Sequence, residues 1–150
     1  MRANAESFAK ETSLETGKPM LESRGEWQVS ANLFEWYAEE GKRNYGRVVP
    51  TNRADKRSMV IYQSLGVVGV ITAWNFPAYN PARAVAAALA AGCSVVMRGS
   101  EFTPLSSFNM AKALDEAGIP KGVFNLINTE PVSTGLEMIE NPLSYLSWYK

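Results

Sequence analysis

The chain has no histidine and only one cysteine, Cys93, among its 150 residues. Without histidine, no Ser-His or Cys-His pair is available here to activate a nucleophile. A lone cysteine excludes an internal disulfide, and no CxxC spacing offers a zinc or redox site. Neither sign of charge is in excess, since Lys and Arg number 15 and Asp and Glu number 15. That balance creates no field to gather nucleic acid or an anionic membrane, and no run of like charge suggests a binding tail. Long apolar runs are missing too: the most apolar, Ala84 to Ala91, is too short to cross a bilayer. The polar opening Met1-Arg2-Ala3-Asn4-Ala5-Glu6 does not read as a secretory signal. The expectation is a soluble, cytoplasmic protein with no nucleic-acid partner, no membrane partner and no metal.

What is present is an apolar fraction of 46%, enough for a packed core. The length suits one domain or part of a larger one. Ala5, Phe8, Ala9 and Thr12 recur at helical spacing up to Gly17. Pro19 opens a second helix with the stripe Trp27, Ala31, Phe34 and Ala38, and Gly41 ends it. Val48-Val49 and Met59 to Gln63 predict a hairpin within residues 46–64. From Gly66 the pattern alternates. Strands are predicted at Val67–Thr72, Ser94–Met97, Val123–Ile127 and Tyr145–Trp148. Helices are predicted at Pro81–Ala91, from Pro104 to about Gly118, and at Pro131–Ile139. Thr103 is the predicted N-cap of the middle helix, with Leu105, Phe108, Ala111 and Leu114 on its inner face. This alternation predicts an α/β fold: a Rossmann-like parallel sheet with flanking helices, two N-terminal helices and a β-hairpin extension.

Ligands of such sheets collect beyond the carboxyl ends of the strands. One predicted end reads Ile71-Thr72-Ala73-Trp74-Asn75, the other Arg98-Gly99-Ser100-Glu101. Asn75 presents an amide suited to an oxygen that turns negative in a transition state, or it caps the next helix, the commoner role for Asn. Glu101 can accept from the two hydroxyls of a ribose with Arg98 beside it, or the two form an ordinary loop ion pair. The residues alone leave both alternatives open. Cys93, between a helix stop and a strand, reads as a small buried apolar residue.

Four linked stretches, over roughly Leu14 to Gly135, resemble the aldehyde dehydrogenase superfamily. They are "LETGKPMLES", "GVVGVITAWNFP", "ALAAGCSVVMRGSEFTPLSS" and "EAGIPKGVFNLIN". The resemblance implies a partial NAD(P)-binding domain of an enzyme that oxidises an aldehyde to a carboxylic acid. It implies that Asn75 helps form the oxyanion site, and that Ile71, Thr72 and Trp74 line the cofactor cleft. Arg98, Ser100 and Glu101 match the family segment that grips the adenosine ribose. Arg83 matches a position where members acting on dicarboxylic semialdehydes contact the substrate carboxylate. NAD is the implied cofactor, with NADP the alternative, and the implied partners are an aldehyde substrate and other copies of the chain. Residues 46–64 match the family's oligomerisation hairpin.

Departures from the pattern accompany the match. Ala73 replaces a Pro, Arg98-Gly99 replaces Lys-Pro, and Thr129 replaces a Gly. The family's nucleophilic Cys and general-base Glu lie in segments that these 150 residues do not contain. The ending Leu143 to Lys150 departs from the family strand end and reads as the product of a frameshift or a premature stop. Two functional readings follow. One is a fragment of an NAD(P)-dependent aldehyde dehydrogenase, inactive in isolation. The other is a non-catalytic truncated product that binds nucleotide weakly or associates with other subunits.

Overall fold

The structure is a computed structural model describing residues 1–129 and 131–149; Glu130 and Lys150 lie outside the described residues. A short 3-10 turn, Arg2–Asn4, leads into helix α1 (Ala5–Thr16). The helix stops at Gly17, whose φ of 73° is left-handed and whose N–H returns to the Ser13 carbonyl. A side chain there would meet the Cβ penalty that glycine avoids. Lys18 and Pro19 turn the chain into helix α2 (Met20–Gly41).

The buried row of α2 is Ser23, Glu26, Trp27, Ser30 and Ala31, at the spacing of one helical face. Of the predicted stripe, Trp27 and Ala31 are buried, Phe34 is half-buried and Ala38 is exposed. The last turns of α2 run past the edge of the core. Phe8 of α1 meets Trp27 at 4.8 Å between ring centroids, and both rings are almost solvent-free. Burying each ring contributes about 2–3 kcal/mol.

Strands β1 (Arg47–Val49) and β2 (Ser58–Val60) pair antiparallel, with Val48 opposite Met59. They form the predicted hairpin, although β2 ends at Val60 rather than at Gln63.

The parallel unit follows as β3 (Val67–Thr72), α3 (Tyr79–Ala90), β4 (Ser94–Arg98), α4 (Pro104–Glu116), β5 (Phe124–Ile127), α5 (Pro131–Glu140) and β6 (Ser144–Tyr149). The strands lie in the order β5-β4-β3-β6. The chain steps outward from β3 to β5 and then crosses back to pair β6 with β3, so the order reverses at β3. Alternate side chains of β3 and β4 separate two layers. Val68, Val70, Val95 and Met97 join the core with Val85 of α3 and Met110 of α4. Val67, Gly69 and Val96 line an apolar cleft of about 460 Å³ against Thr134 and Met138 of α5.

Two further predictions need correction. Helix α3 begins at Tyr79, before Pro81, because a proline fits the first helical turn. The inner face of α4 is Ser106, Ser107, Met110, Ala113 and Leu114, while Leu105 and Phe108 are exposed. Hydroxyl-bearing residues fill the inner positions because α4 packs against α1, where Thr12 contacts Ser106 at 2.8 Å. Cys93 is a free, buried thiol in the core, as its flanks predict.

Candidate functional site at the carboxyl ends of β3 and β4

Strands β3 and β4 are hydrogen-bonded neighbours, with Ile71 opposite Arg98. Their carboxyl ends therefore emerge side by side, and the loops after Thr72 and Arg98 leave the sheet at the same end. Thr72 is buried, Ile71 half-buried, and Trp74 and Asn75 exposed. The turn from β3 into α3 thus lifts out of the core within three residues.

The turn at Asn75 is held from several directions. Asn75 does not cap α3. The first N–H groups of that helix, from Ala78 and Tyr79, donate to the Glu26 carboxylate of α2 at 2.8 and 3.0 Å. The other oxygen of Glu26 accepts Lys18 Nζ at 2.5 Å. Lys18 also donates to the Asn75 carbonyl at 3.0 Å and lies 4.5 Å from the Phe76 ring centroid. Buried Asn80 donates its amide to Asn75 Oδ1 at 3.3 Å. The carbonyl half of the Asn75 side chain is thereby engaged, which orients its NH2 group away from Asn80.

Two clefts flank the turn. Trp74 lines one of about 350 Å³ together with Glu15, Thr16, Phe102 and Thr103. Phe76 and Tyr79 line another of about 330 Å³ together with Lys18, Glu22, Gly25, Glu26 and Val29. Arg83, on α3, lies 5.5 Å above the Tyr79 ring, and the Tyr79 and Phe76 rings meet edge to face at 6.4 Å. Lys18 and Arg83 therefore bracket two edge-to-face aromatic side chains, each cation gaining about 0.5–1 kcal/mol from its ring.

At the β4 end, Arg98 is only 6% exposed. One of its terminal nitrogens donates to Glu101 at 2.5 Å, while its Nε is buried without a hydrogen-bond partner. The Glu101 carboxylate is substantially exposed. Ser100 is buried and its hydroxyl accepts the Phe102 N–H at 3.2 Å, so it shapes the loop. Gly99 has a steric reason: a β-carbon there would collide with the Ser107 side chain of α4. A small residue at 99 and a hydroxyl at 107 share one space.

The shifted carboxyl groups belong to surface pairs. Hydrogen bonds from Arg24, Lys42 and Arg53 hold Glu6, Glu39 and Asp55 below the usual carboxylate range. All three are exposed. Among the described residues no group of His, Cys, Asp and Glu is placed to hold a metal, and no helix is long and apolar enough to cross a membrane.

Sequence reasoning singled out the two strand ends but missed Lys18, Glu26 and Asn80. A signal for Glu26 exists in hindsight. It is a charged residue in a row (23, 26, 27, 30, 31) whose other members are small or apolar. Lys18 stands between a helix-stopping glycine and a helix-starting proline, and the proline restricts its backbone to extended conformations.

A parallel sheet whose order reverses at a strand tipped with polar groups defines the doubly wound α/β class. The chain belongs to the aldehyde dehydrogenase family, whose model matches residues 1–145. It is 43% identical over 143 residues to the NADP(+) succinate-semialdehyde dehydrogenase GabD of Escherichia coli K12, covering 95% of this chain and 30% of that protein. It is 41% identical to a glutarate-semialdehyde dehydrogenase of Pseudomonas aeruginosa, with the same coverage of 95% and 30%. The crystal structure of succinate-semialdehyde dehydrogenase from Burkholderia pseudomallei superimposes with a TM-score of 0.93 at 43% identity, over 96% of this chain and 30% of that one. The chain thus spans about 30% of the length of the curated relatives it matches.

Proposed function

We infer that these residues supply the oxyanion donor and part of the cofactor site of an NAD(P)-dependent oxidoreductase acting on a semialdehyde. The observation that carries the reading is the state of Asn75. Its amide is exposed, excluded from capping α3 by Glu26, and oriented by Asn80 at the end of the strand where the sheet order reverses. A rigid N–H donor of this kind stabilises an oxygen that gains charge as a thiolate adds to an aldehyde. The thiolate itself is not Cys93, which is buried in the core.

The β4 end fits a dinucleotide. Glu101 presents a carboxylate to accept from ribose hydroxyls, and Arg98 holds that carboxylate from below. The unpartnered Nε of Arg98 would gain a partner from a ligand oxygen. Ile71, Thr72 and Trp74 would border the bound cofactor, and Ser100 would keep the loop in shape. When bound, NAD(P) supplies the hydride acceptor. NAD is the reading that an exposed carboxylate at 101 favours, because it repels a 2′-phosphate. The NADP(+) specified for the Escherichia coli relative keeps NADP as the alternative.

Arg83 is assigned to the substrate. It stands beside the cleft lined by Phe76 and Tyr79, where it can pair with a carboxylate at the far end of an aldehyde. The similarity to succinate- and glutarate-semialdehyde dehydrogenases supports this reading.

A second observation favours association with other copies. Tyr45, Val48, Met59, Ile61, Tyr62 and Leu65 are all exposed, in and around the hairpin. An apolar band of this kind, with open strand edges, marks an interaction surface. Residues 46–64 are therefore proposed as the homo-oligomer contact, and the cytoplasm as the location.

The test is Asn75→Ala in the enzyme that carries this chain. A fall in kcat of about 10²–10³ with cofactor affinity retained is expected for loss of an oxyanion donor. A variant with the parent kcat would overturn the reading.

A further inference from the structure

We propose that Lys18 and Glu26 are positioning residues for Asn75, acting as a clamp that fixes the β3–α3 turn from the first two helices. The proposal rests on the reading of Asn75 as an amide donor and adds the device that makes the donor rigid. Four features carry it.

The first is the contact pattern. Glu26 engages the N–H groups of Ala78 and Tyr79, at the start of α3, through one oxygen and Lys18 through the other. Lys18 then reaches the backbone carbonyl of Asn75 itself. The clamp closes a loop running from α2 to the start of α3, through the ammonium group, to residue 75. The second is burial. The side chain of Glu26 is 3% exposed and that of Lys18 13%. A pair this little exposed, with the carboxylate bonded to two backbone N–H groups and the ammonium to a backbone carbonyl, holds its geometry better than a surface pair, which contributes little.

The third is the anchoring of the two ends. Pro19 restricts the backbone after Lys18, and the Lys18 N–H donates to Thr16 Oγ1 at 3.2 Å on the other side. Glu26 sits beside Trp27, which is 1% exposed. Neither end can swing without disturbing a helix terminus or the core. The fourth is the sequence at the turn. Ala73 occupies a place where a proline would stiffen the backbone. Rigidity that proline would supply locally is supplied here by contacts from residues 18 and 26.

An ordinary helix cap would require only Glu26 and the α3 N–H groups. The link from Lys18 to the Asn75 carbonyl has no capping role, because that carbonyl precedes the helix. It bears on the donor residue alone.

The discriminating variant is Lys18→Met, which leaves Glu26 bonded to Ala78 and Tyr79 and so keeps the cap. In the enzyme carrying this chain, kcat should fall about tenfold to a hundredfold, since small misplacements of a reacting group cost that much. KM for NAD(P) should stay unchanged, and Lys18→Arg should recover most of the rate. In the 150-residue chain, the side-chain NH2 resonances of Asn75 should broaden or converge in Lys18→Met and remain sharp and distinct in the parent. Parent-like kcat together with parent-like Asn75 resonances would overturn the clamp. So would a loss of kcat matched by an equal weakening of cofactor binding, or one that Lys18→Arg does not relieve. If Asn75→Ala leaves kcat intact, the donor reading fails, and the resonance measurement decides the clamp independently.

Discussion

Ser106 on α4 donates its hydroxyl to Glu15 on α1, and the same carboxylate accepts the backbone N–H groups of Leu105 and Ser106 at 2.9 Å each. The donor order behind this contact is settled by its neighbours. The one hydrogen of Ser106 goes to Glu15, so Thr12 donates to Ser106, 2.8 Å away, and itself accepts Trp27 Nε1 at 2.9 Å. A directed chain runs from the core indole through two hydroxyls to a carboxylate. It ties α2, α1 and α4 together beside the loop that carries Glu101. Thr103 occupies the N-cap position of α4 but makes no side-chain cap bond; Glu15 caps the helix in its place.

Glu15→Ala should therefore destabilise the fold by about 1–2 kcal/mol, the range for losing a helix cap. Thr103→Ala should cost less, because its hydroxyl makes no bond. Denaturant unfolding of the two variants compares the costs, and the reverse ranking would show that Thr103 is the working cap.

Gly99→Ala should cost about 1–3 kcal/mol through overpacking against α4. Combining it with Ser107→Ala should recover only part of that loss. The hydroxyl is then gone, but the Ser107 β-carbon still stands 2.7 Å from the position an added β-carbon would take. A double-mutant cycle of unfolding energies reads the coupling, and strict additivity would refute the shared-space account.

Arg83→Ala, in the enzyme carrying this chain, should lower kcat/KM for a carboxylate-bearing aldehyde by about tenfold to a hundredfold, as loss of a charged hydrogen bond does. A neutral aldehyde of similar length should lose no more than a few-fold. Equal losses for both substrates would remove Arg83 from carboxylate recognition.

The 150-residue polypeptide assayed alone with aldehyde and NAD should give no sustained NADH production, because its one thiol is buried in the core. Steady turnover would overturn that expectation.

The same polypeptide should self-associate through residues 46–64. Replacing exposed Met59 and Ile61 by Lys should shift it towards monomer in sedimentation velocity. A monomeric parent chain would count against the hairpin as a contact surface.

Much of the architecture was legible from residues 5 to 145 because its signals are local. Gly17 stops α1 through its own φ, and Val67 to Ile71 reads as a buried parallel strand through its own apolar run. The two strand ends stood out because Asn75 and Glu101 are polar groups following apolar strands. Other features resisted. Leu105 and Phe108 look like an inner face by spacing, yet α4 turns Ser106 and Ser107 inward because Thr12 and Glu15 of α1 wait there. Glu26 looked like an ordinary helical acid, although it holds the start of α3 across a separation of 52 residues.

Helical and extended periods, turn glycines and the order of elements were written into the chain, since each depends on a few neighbouring dihedrals and on side chains facing one solvent boundary. The partners of Lys18, Glu15 and Glu26 were decided only when the helices packed on one another and on the sheet. A buried charge takes whichever hydrogen-bonding group folding brings within about 3 Å. Among groups tens of residues apart, nothing in a linear spacing measures that distance.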